Sequence, residues 1–188
     1  MQSQKKFPAT FSFELFPPQT PEGIEKLRVA RSQLAQFNPK FFSVTYGAGG
    51  STRDRTIETV LEIQAEGRTV APHLSCIGST RENIYALLKK YQDNGIHHLV
   101  ALRGDLPSGM AQAGEFRYAN ELVTFIRQEF GNLFRIEIAA YPEYHPQARS
   151  AQDDFKNFIK KIEAGADSAI TQYFYNAEAY FHFIDMCE

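Results

Sequence analysis

The feature that most constrains this chain is a beat: short apolar runs alternate with helix-length segments at intervals of about 30 residues. The runs are Phe11–Phe16, Phe41–Tyr46, Thr69–Leu74, His98–Leu102, Arg135–Ala140 and Ser168–Gln172. They are nearly continuous in apolar character, as expected of parallel strands buried on both faces. Between them the spacing predicts helices over Pro21–Phe37, Thr52–Glu66, Thr80–Asn94, Tyr118–Phe130, Ala151–Ala164 and Asn176–Cys187. The starts carry their own signals. Ser51, Ser79 and Ser150 each stand three residues before an acid (Asp54, Glu82, Asp153), and Thr20 precedes Pro21. Asn94-Gly95 and Ala164-Gly165 suit the helix ends.

A near-constant βα unit of this size fits a (β/α)8 TIM barrel, of which the chain carries about six units. A six-stranded doubly wound sheet fits the length better. Polar residues at the strand ends decide between them. They are Glu14, Thr45 and Tyr46, His73, Arg103 with Gly104 and Asp105, Tyr141 with Glu143, and Gln172. Six strand ends converge only when the sheet closes on itself, so the expected fold is α/β, a (β/α)8 barrel. A Glu in the apolar run Phe11–Phe16 is costly to bury unless paired or functional.

Composition narrows the function classes. A net charge of -2 argues against a nucleic-acid partner. No apolar stretch is long enough to span a membrane, and the first ten residues lack the apolar core of a secretory signal. The two cysteines have neither disulfide-framework nor zinc spacing, so the expectation is a soluble cytoplasmic protein without a bound metal. The 16 Phe and 9 Tyr are a high aromatic content; most should be core, and some should line a ligand pocket or a contact between copies in a homo-oligomer. No G-x-G-x-x-G follows a strand, and Gly104–Gly109 lacks the Lys-Ser/Thr of a phosphate-binding P-loop. The glycine-rich turn from Tyr46 to Thr52 suits either a phosphate or a tight βα turn. His97, His98 and His182 read as structural residues.

Six segments taken together resemble one family: Phe13-Glu-Leu-Phe-Pro-Pro18, Val44–Thr52, Ala71-Pro-His73, Ala101-Leu-Arg-Gly-Asp105, Ala140-Tyr-Pro-Glu143 with His145-Pro146, and Ile170-Thr-Gln172. In order and at successive strand ends, they are similar to methylenetetrahydrofolate reductases. The resemblance implies a single catalytic barrel domain over residues 1–188 that uses FAD and NADH or NADPH. Its reaction would reduce 5,10-methylenetetrahydrofolate to 5-methyltetrahydrofolate. Family barrels are longer, so the resemblance also implies a chain that ends inside its sixth helix, before the last two units.

The same resemblance assigns roles. Glu14 matches the general acid that protonates folate N10, opening the methylene bridge to an electrophilic iminium at N5. Asp105 matches the aspartate beside flavin and folate, and Thr45 and Gln172 match folate contacts. The positions matching FAD contacts are Thr45, Tyr46, Ala48, His73, Arg103, Gly104, Asp105 and Ala119. Further along they are Tyr141, His145, Ala148, Asp154, Asn157, Lys160 and Lys161. Two rival readings stay open: a metal-dependent barrel ligated by Glu14, His73, Asp105 and His145, and a flavin-binding fragment without catalysis.

Overall fold

The computed structural model describes residues 10–46, 50–105 and 114–188, with backbone alone for 50–53. Six strands alternate with six helices. The strands are β1 (Ser12–Leu15), β2 (Phe41–Val44), β3 (Val70–Ser75), β4 (His98–Leu102), β5 (Arg135–Ala140) and β6 (Ser168–Thr171). After them in turn run α1 (Pro21–Leu34), α2 (Gly50–Ala65), α3 (Arg81–Asp93), α4 (Ala119–Phe130), α5 (Ala151–Glu163) and α6 (Ala177–Cys187). Every neighbouring pair is parallel and the order along the sheet is β1-β2-β3-β4-β5-β6. Strand order without reversal is that of a barrel wall; a doubly wound sheet reverses at its switch point. The six units form a half-barrel with its helices alternating around it.

Side chains alternate across a strand, and paired residues of parallel strands share a face, so the register sorts the sheet into two surfaces. One carries Phe42, Val44, Val70, Leu74, Leu99, Ala101, Ile136 and Ile138, which join Val60, Ile63, Ile84, Leu88, Leu122 and Ile126 of the helices in one apolar core. The other carries Glu14, Ser43, Ala71 and His73, and then Val100, Glu137 and Ser168 in register across β4, β5 and β6. Polar side chains therefore collect on the face turned away from the helices.

Burial on both faces holds for β3 and β4 but not for the edges. β1 and β6 each have one flanking strand and are largely half-buried or exposed. Glu14 shares that openness in this chain, its side chain 52% exposed. The caps are also refined. Thr20 and Ser150 accept from Gly23 and Asp153 amides at 3.1 Å each, as their spacing predicts. The cap of α3 is Thr80, which accepts from the Asn83 amide, one residue beyond Ser79. α2 begins at Gly50, which draws Ser51 into the first turn. The first predicted helix ends at Leu34, and Ala35–Phe37 is a 3-10 turn closed by Asn38 at φ 51.

Two arginines lock helices at the far end. The Arg31 guanidinium is 2% exposed and lies between the Glu62 and Glu66 carboxylates, tying α1 to α2. Arg127 donates to the Gly165 and Phe134 carbonyls and to Asp167, closing the turns after α4 and α5.

Candidate functional site

The carboxyl ends of β4 and β5 open into a cavity of about 340 Å³. Its floor is the turn after β4, Arg103, Gly104 and Asp105, and one wall is the start of α4, Tyr118, Ala119 and Asn120. The opposite wall is the β5–α5 loop, with Tyr141, His145, Gln147 and Ala148, backed by Asp154, Asn157 and Lys161 of α5. Three- and four-residue steps put Asp154, Asn157 and Lys161 on one helical face.

Gly104 is required where it stands. Its φ is 82, in the left-handed region, and a Cβ there would come within 1.8 Å of Ser75 Oγ. That hydroxyl donates to the Arg103 carbonyl at 3.0 Å, so the turn is packed tightly under the cavity. Arg103 crosses the mouth, its Nη2 donating to Gln147 Oε1 at 2.7 Å and its Nε to the Gly104 carbonyl at 3.0 Å. Asp105 is almost fully exposed, and its carboxylate is 4.0 Å from the same guanidinium.

The β5–α5 loop is built around His145. The Asp154 carboxylate accepts from the His145 amide at 2.9 Å, and the Tyr141 ring meets the imidazole edge-on at 4.7 Å. Burial, then the Asp154 charge, pushes the Tyr141 phenol up. Lys161 is half-buried, its ammonium donating to the Ala139 carbonyl and lying over the Phe158 ring. Burial pushes it down to about 8 although Asp154 acts the other way. Behind Tyr141, Asp154 and Lys161 lies a second cavity of about 510 Å³, walled by Phe155, Phe158, Phe183 and Met186, with His182 on its lining.

A second group of side chains stands on β1 and β3. His73 Nε2 lies 3.4 Å from Glu14 Oε2, close in distance but not aligned as a hydrogen bond, and among the described residues this buried nitrogen has no hydrogen-bond partner. Burial pushes the imidazole down to about 4, so it is neutral at pH 7. Thr45 follows β2, its amide bonded to the Leu15 carbonyl and its own carbonyl accepting from Thr56 Oγ1. Gln172 follows β6, its amide bonded to the Ala140 carbonyl and its side chain accepting from the Tyr173 amide.

The structure thus gathers Arg103, Gly104, Asp105, Ala119, Tyr141, His145, Ala148, Asp154, Asn157 and Lys161 around one cavity. Thr45, Tyr46 and His73 stand beyond its lining, at the ends of β2 and β3, and Tyr46 packs partly against the core. Lys160 stands outside the cavity lining, exposed, its ammonium bonded to Asn157 Oδ1 at 3.2 Å. Ala48 lies outside the described residues. Glu143 points elsewhere, its carboxylate accepting from the Tyr175 and Asn176 amides. Glu14, His73, Asp105 and His145 do not gather into a metal-holding cluster among the described residues. Tyr118, Asn120 and Gln147 were not anticipated. Asn120 follows Ala119 in the first turn of α4, and Gln147 sits between His145 and Ala148, so both were reachable by extending those assignments.

No described helix is long and apolar enough to cross a membrane. The family model for methylenetetrahydrofolate reductase matches residues 1–188. The chain is 45% identical over 177 residues to the 5,10-methylenetetrahydrofolate reductase of Escherichia coli (strain K12), covering 94% of this chain and 58% of that protein. It is 38% identical to methylenetetrahydrofolate reductase (NADH) 1 of Arabidopsis thaliana, covering 94% of this chain and 32% of that one. A solved structure of an uncharacterized protein from Clostridium thermocellum that binds two copies of 5-methyl-5,6,7,8-tetrahydrofolic acid superimposes with a TM-score of 0.68 at 16% identity, over 97% of this chain and 61% of that one. That likeness is one of fold. The chain spans 58% of the length of its Escherichia coli relative, and by sequence it belongs to the methylenetetrahydrofolate reductase family.

Proposed function

We propose that the protein carrying this chain reduces 5,10-methylenetetrahydrofolate to 5-methyltetrahydrofolate with electrons from NAD(P)H, using FAD. Residues 1–188 then contribute a single catalytic unit, six βα units of a (β/α)8 barrel, to a protein that works as a homo-oligomer. The observation that carries the reading is the cavity at the ends of β4 and β5. It combines cationic donors (Arg103, Lys161), amide donors (Asn120, Asn157) and a ring face (Tyr141), a set suited to a ligand with both phosphates and a planar heterocycle. FAD fits that donor set. Arg103 and Lys161 would hold its phosphates, and Asp105 and Tyr141 would face its ring system. When bound, FAD supplies the hydride that it has taken from the nicotinamide.

The chain's own residues supply the rest. Glu14, at the end of β1 and on the inner face, donates a proton to folate N10 as the methylene bridge opens, and Thr45 and Gln172 fix the folate by hydrogen bonds. A carboxyl acts as an acid near neutral pH when its surroundings hold the proton. A neutral His73 beside Glu14 offers no cation to oppose that. Stacked substrate and cofactor would exclude water from around Glu14.

The test takes the purified protein and measures its visible flavin absorbance, its oxidation of NAD(P)H and its reduction of methylenetetrahydrofolate separately. A yellow protein active in both half-reactions is expected. A colourless protein that binds divalent metal overturns the reading in favour of a metal-dependent barrel. A yellow protein inactive in both would be a flavin-binding unit only.

A further inference from the structure

Gln147 sits at the junction of two hydrogen-bond systems that meet at the cavity mouth. Its side-chain oxygen accepts from Arg103 Nη2 at 2.7 Å, bridging the end of β4 and the β5–α5 loop, 44 residues away. Its backbone amide donates to His145 Nδ1 at 3.0 Å. An acceptor nitrogen carries no proton, so in the neutral imidazole the proton must sit on Nε2. The ring is held from other sides as well: the His145 amide is bonded to Asp154, its carbonyl accepts from the Ala148 amide at 2.9 Å, and Tyr141 abuts its edge. Arg103, His145 and Gln147 all line the same cavity.

The charge arithmetic at this junction is specific. Gln147 gives the guanidinium a strong acceptor without a negative charge. The carboxylate near Arg103 is the exposed Asp105, at 4.0 Å, where solvent screens most of the attraction. Arg103 is therefore fixed in direction while its positive charge remains available. A glutamate at the same place would hold the guanidinium as well and cancel the charge. An apolar side chain would leave the charge but release the direction. A neutral acceptor does both tasks, which suits a site that must attract an anion into one geometry.

We infer that Gln147 is a positioning residue for an anionic ligand group: its side chain aims the Arg103 guanidinium into the cavity and its amide fixes His145 as an Nε2–H donor. The inference rests on the flavin reading for the identity of the ligand, a phosphate-bearing flavin. It extends that reading by saying which group orders the phosphate-binding charge before the ligand arrives.

The test uses flavin-free protein and three flavins that differ in phosphate content: FAD, FMN and riboflavin, with binding followed by flavin fluorescence. Gln147→Glu should weaken FAD and FMN by about tenfold, the size of one lost charge-assisted contact, and leave riboflavin unchanged. It should also flatten the salt dependence of FAD binding, whereas Gln147→Leu should weaken FAD while keeping that dependence. Equal loss of all three flavins would mean a merely structural role, and wild-type affinity in both variants would mean none; either overturns the inference. If the wild-type protein binds no flavin at all, the flavin reading fails on its own, and inorganic pyrophosphate becomes the probe. Binding that Gln147→Glu abolishes then supports the positioning role, and no binding, or binding indifferent to the substitution, overturns it. Imidazole nitrogen shifts by NMR give a separate check: a proton found on His145 Nδ1 would contradict the assigned tautomer whatever the ligand.

Discussion

Glu14 and His73 approach to 3.4 Å although their strands are not neighbours: β2 runs between β1 and β3. Register explains the meeting. Glu14 pairs with Ser43 and Ser43 with Ala71, so His73, two residues on, leans over the same inner surface. Adjacent strands are about 4.8 Å apart, and two long side chains close the double gap only because the wall curves inward. The result is a carboxyl group beside a neutral, buried imidazole, at the strand end where the proposed chemistry needs an acid.

Glu14→Gln should separate the two half-reactions. An amide has no proton to give folate N10, but hydride transfer from nicotinamide needs none. Folate reduction should fall by roughly 10²–10⁴, the usual loss with a general acid, while NAD(P)H oxidation with an artificial acceptor survives. Equal loss of both rates would remove Glu14 from the role.

Gly104→Ala tests the packing under the cavity. A Cβ at φ 82 meets Ser75 Oγ at 1.8 Å and Ser75 Cβ at 3.0 Å. Strain and overlap together should cost about 2–3 kcal/mol and weaken ligand binding. Adding Ser75→Ala removes the closer contact but not the backbone strain, so part of the stability should return. Thermal melting of the single and double variants checks this, and a fully stable Gly104→Ala protein would mean the turn is not held as described.

The inner face also carries an acid-sensitive cluster at its opposite end. Glu137 Oε1 is bonded to His98 Nε2 at 2.9 Å and to Arg135 Nε at 3.1 Å, and Phe41 packs edge-on against His98. Burial opposes the charge on Glu137, but donors from His98, Ser168 and Arg135 overcome it and hold the carboxyl down at about 2. A depressed carboxyl gives stability that is present above its ordinary value of 4.5 and is lost as pH falls toward 2. Glu137→Gln should lose about 2 kcal/mol at pH 7 and less at pH 3. Denaturant unfolding at the two pH values measures it; an equal loss at both would assign the effect to packing.

What was legible in the sequence was local. β4 and β5 lie at their predicted bounds, because an apolar run between capped helices is a short-range signal, and Ser150 caps α5 where its spacing to Asp153 says it should. Tertiary placement was less legible. The approach of Glu14 to His73 follows from register across an intervening strand, which no residue near Glu14 records. Lys160 and Lys161 are adjacent in sequence, yet a step of 100° around a helix turns one outward and the other into the cavity. Gln147 was not legible because its significance is a partner in the turn after β4, 44 residues back.

Lys161 gives the most discriminating pH test. Burial holds its ammonium at about 8 against an ordinary 10.5, with Asp154 working against the shift and Tyr141 also on the cavity wall. The sign for stability is that of a depressed base. The unfolded chain keeps the proton between about 8 and 10.5 while the folded protein has released it, so folding becomes more favourable as pH rises through that window. The sign for an anionic ligand is opposite, because the charge that attracts it disappears over the same range. FAD affinity should fall by about tenfold between pH 7 and pH 10, with its midpoint at or above 8, since a bound phosphate stabilises the ammonium. Lys161→Met should be weaker at pH 7 and insensitive to pH in both respects. Binding and melting curves recorded across that range decide the matter: parallel trends in affinity and stability would place the titrating group elsewhere, whereas opposed trends that vanish together in Lys161→Met would place it at Lys161.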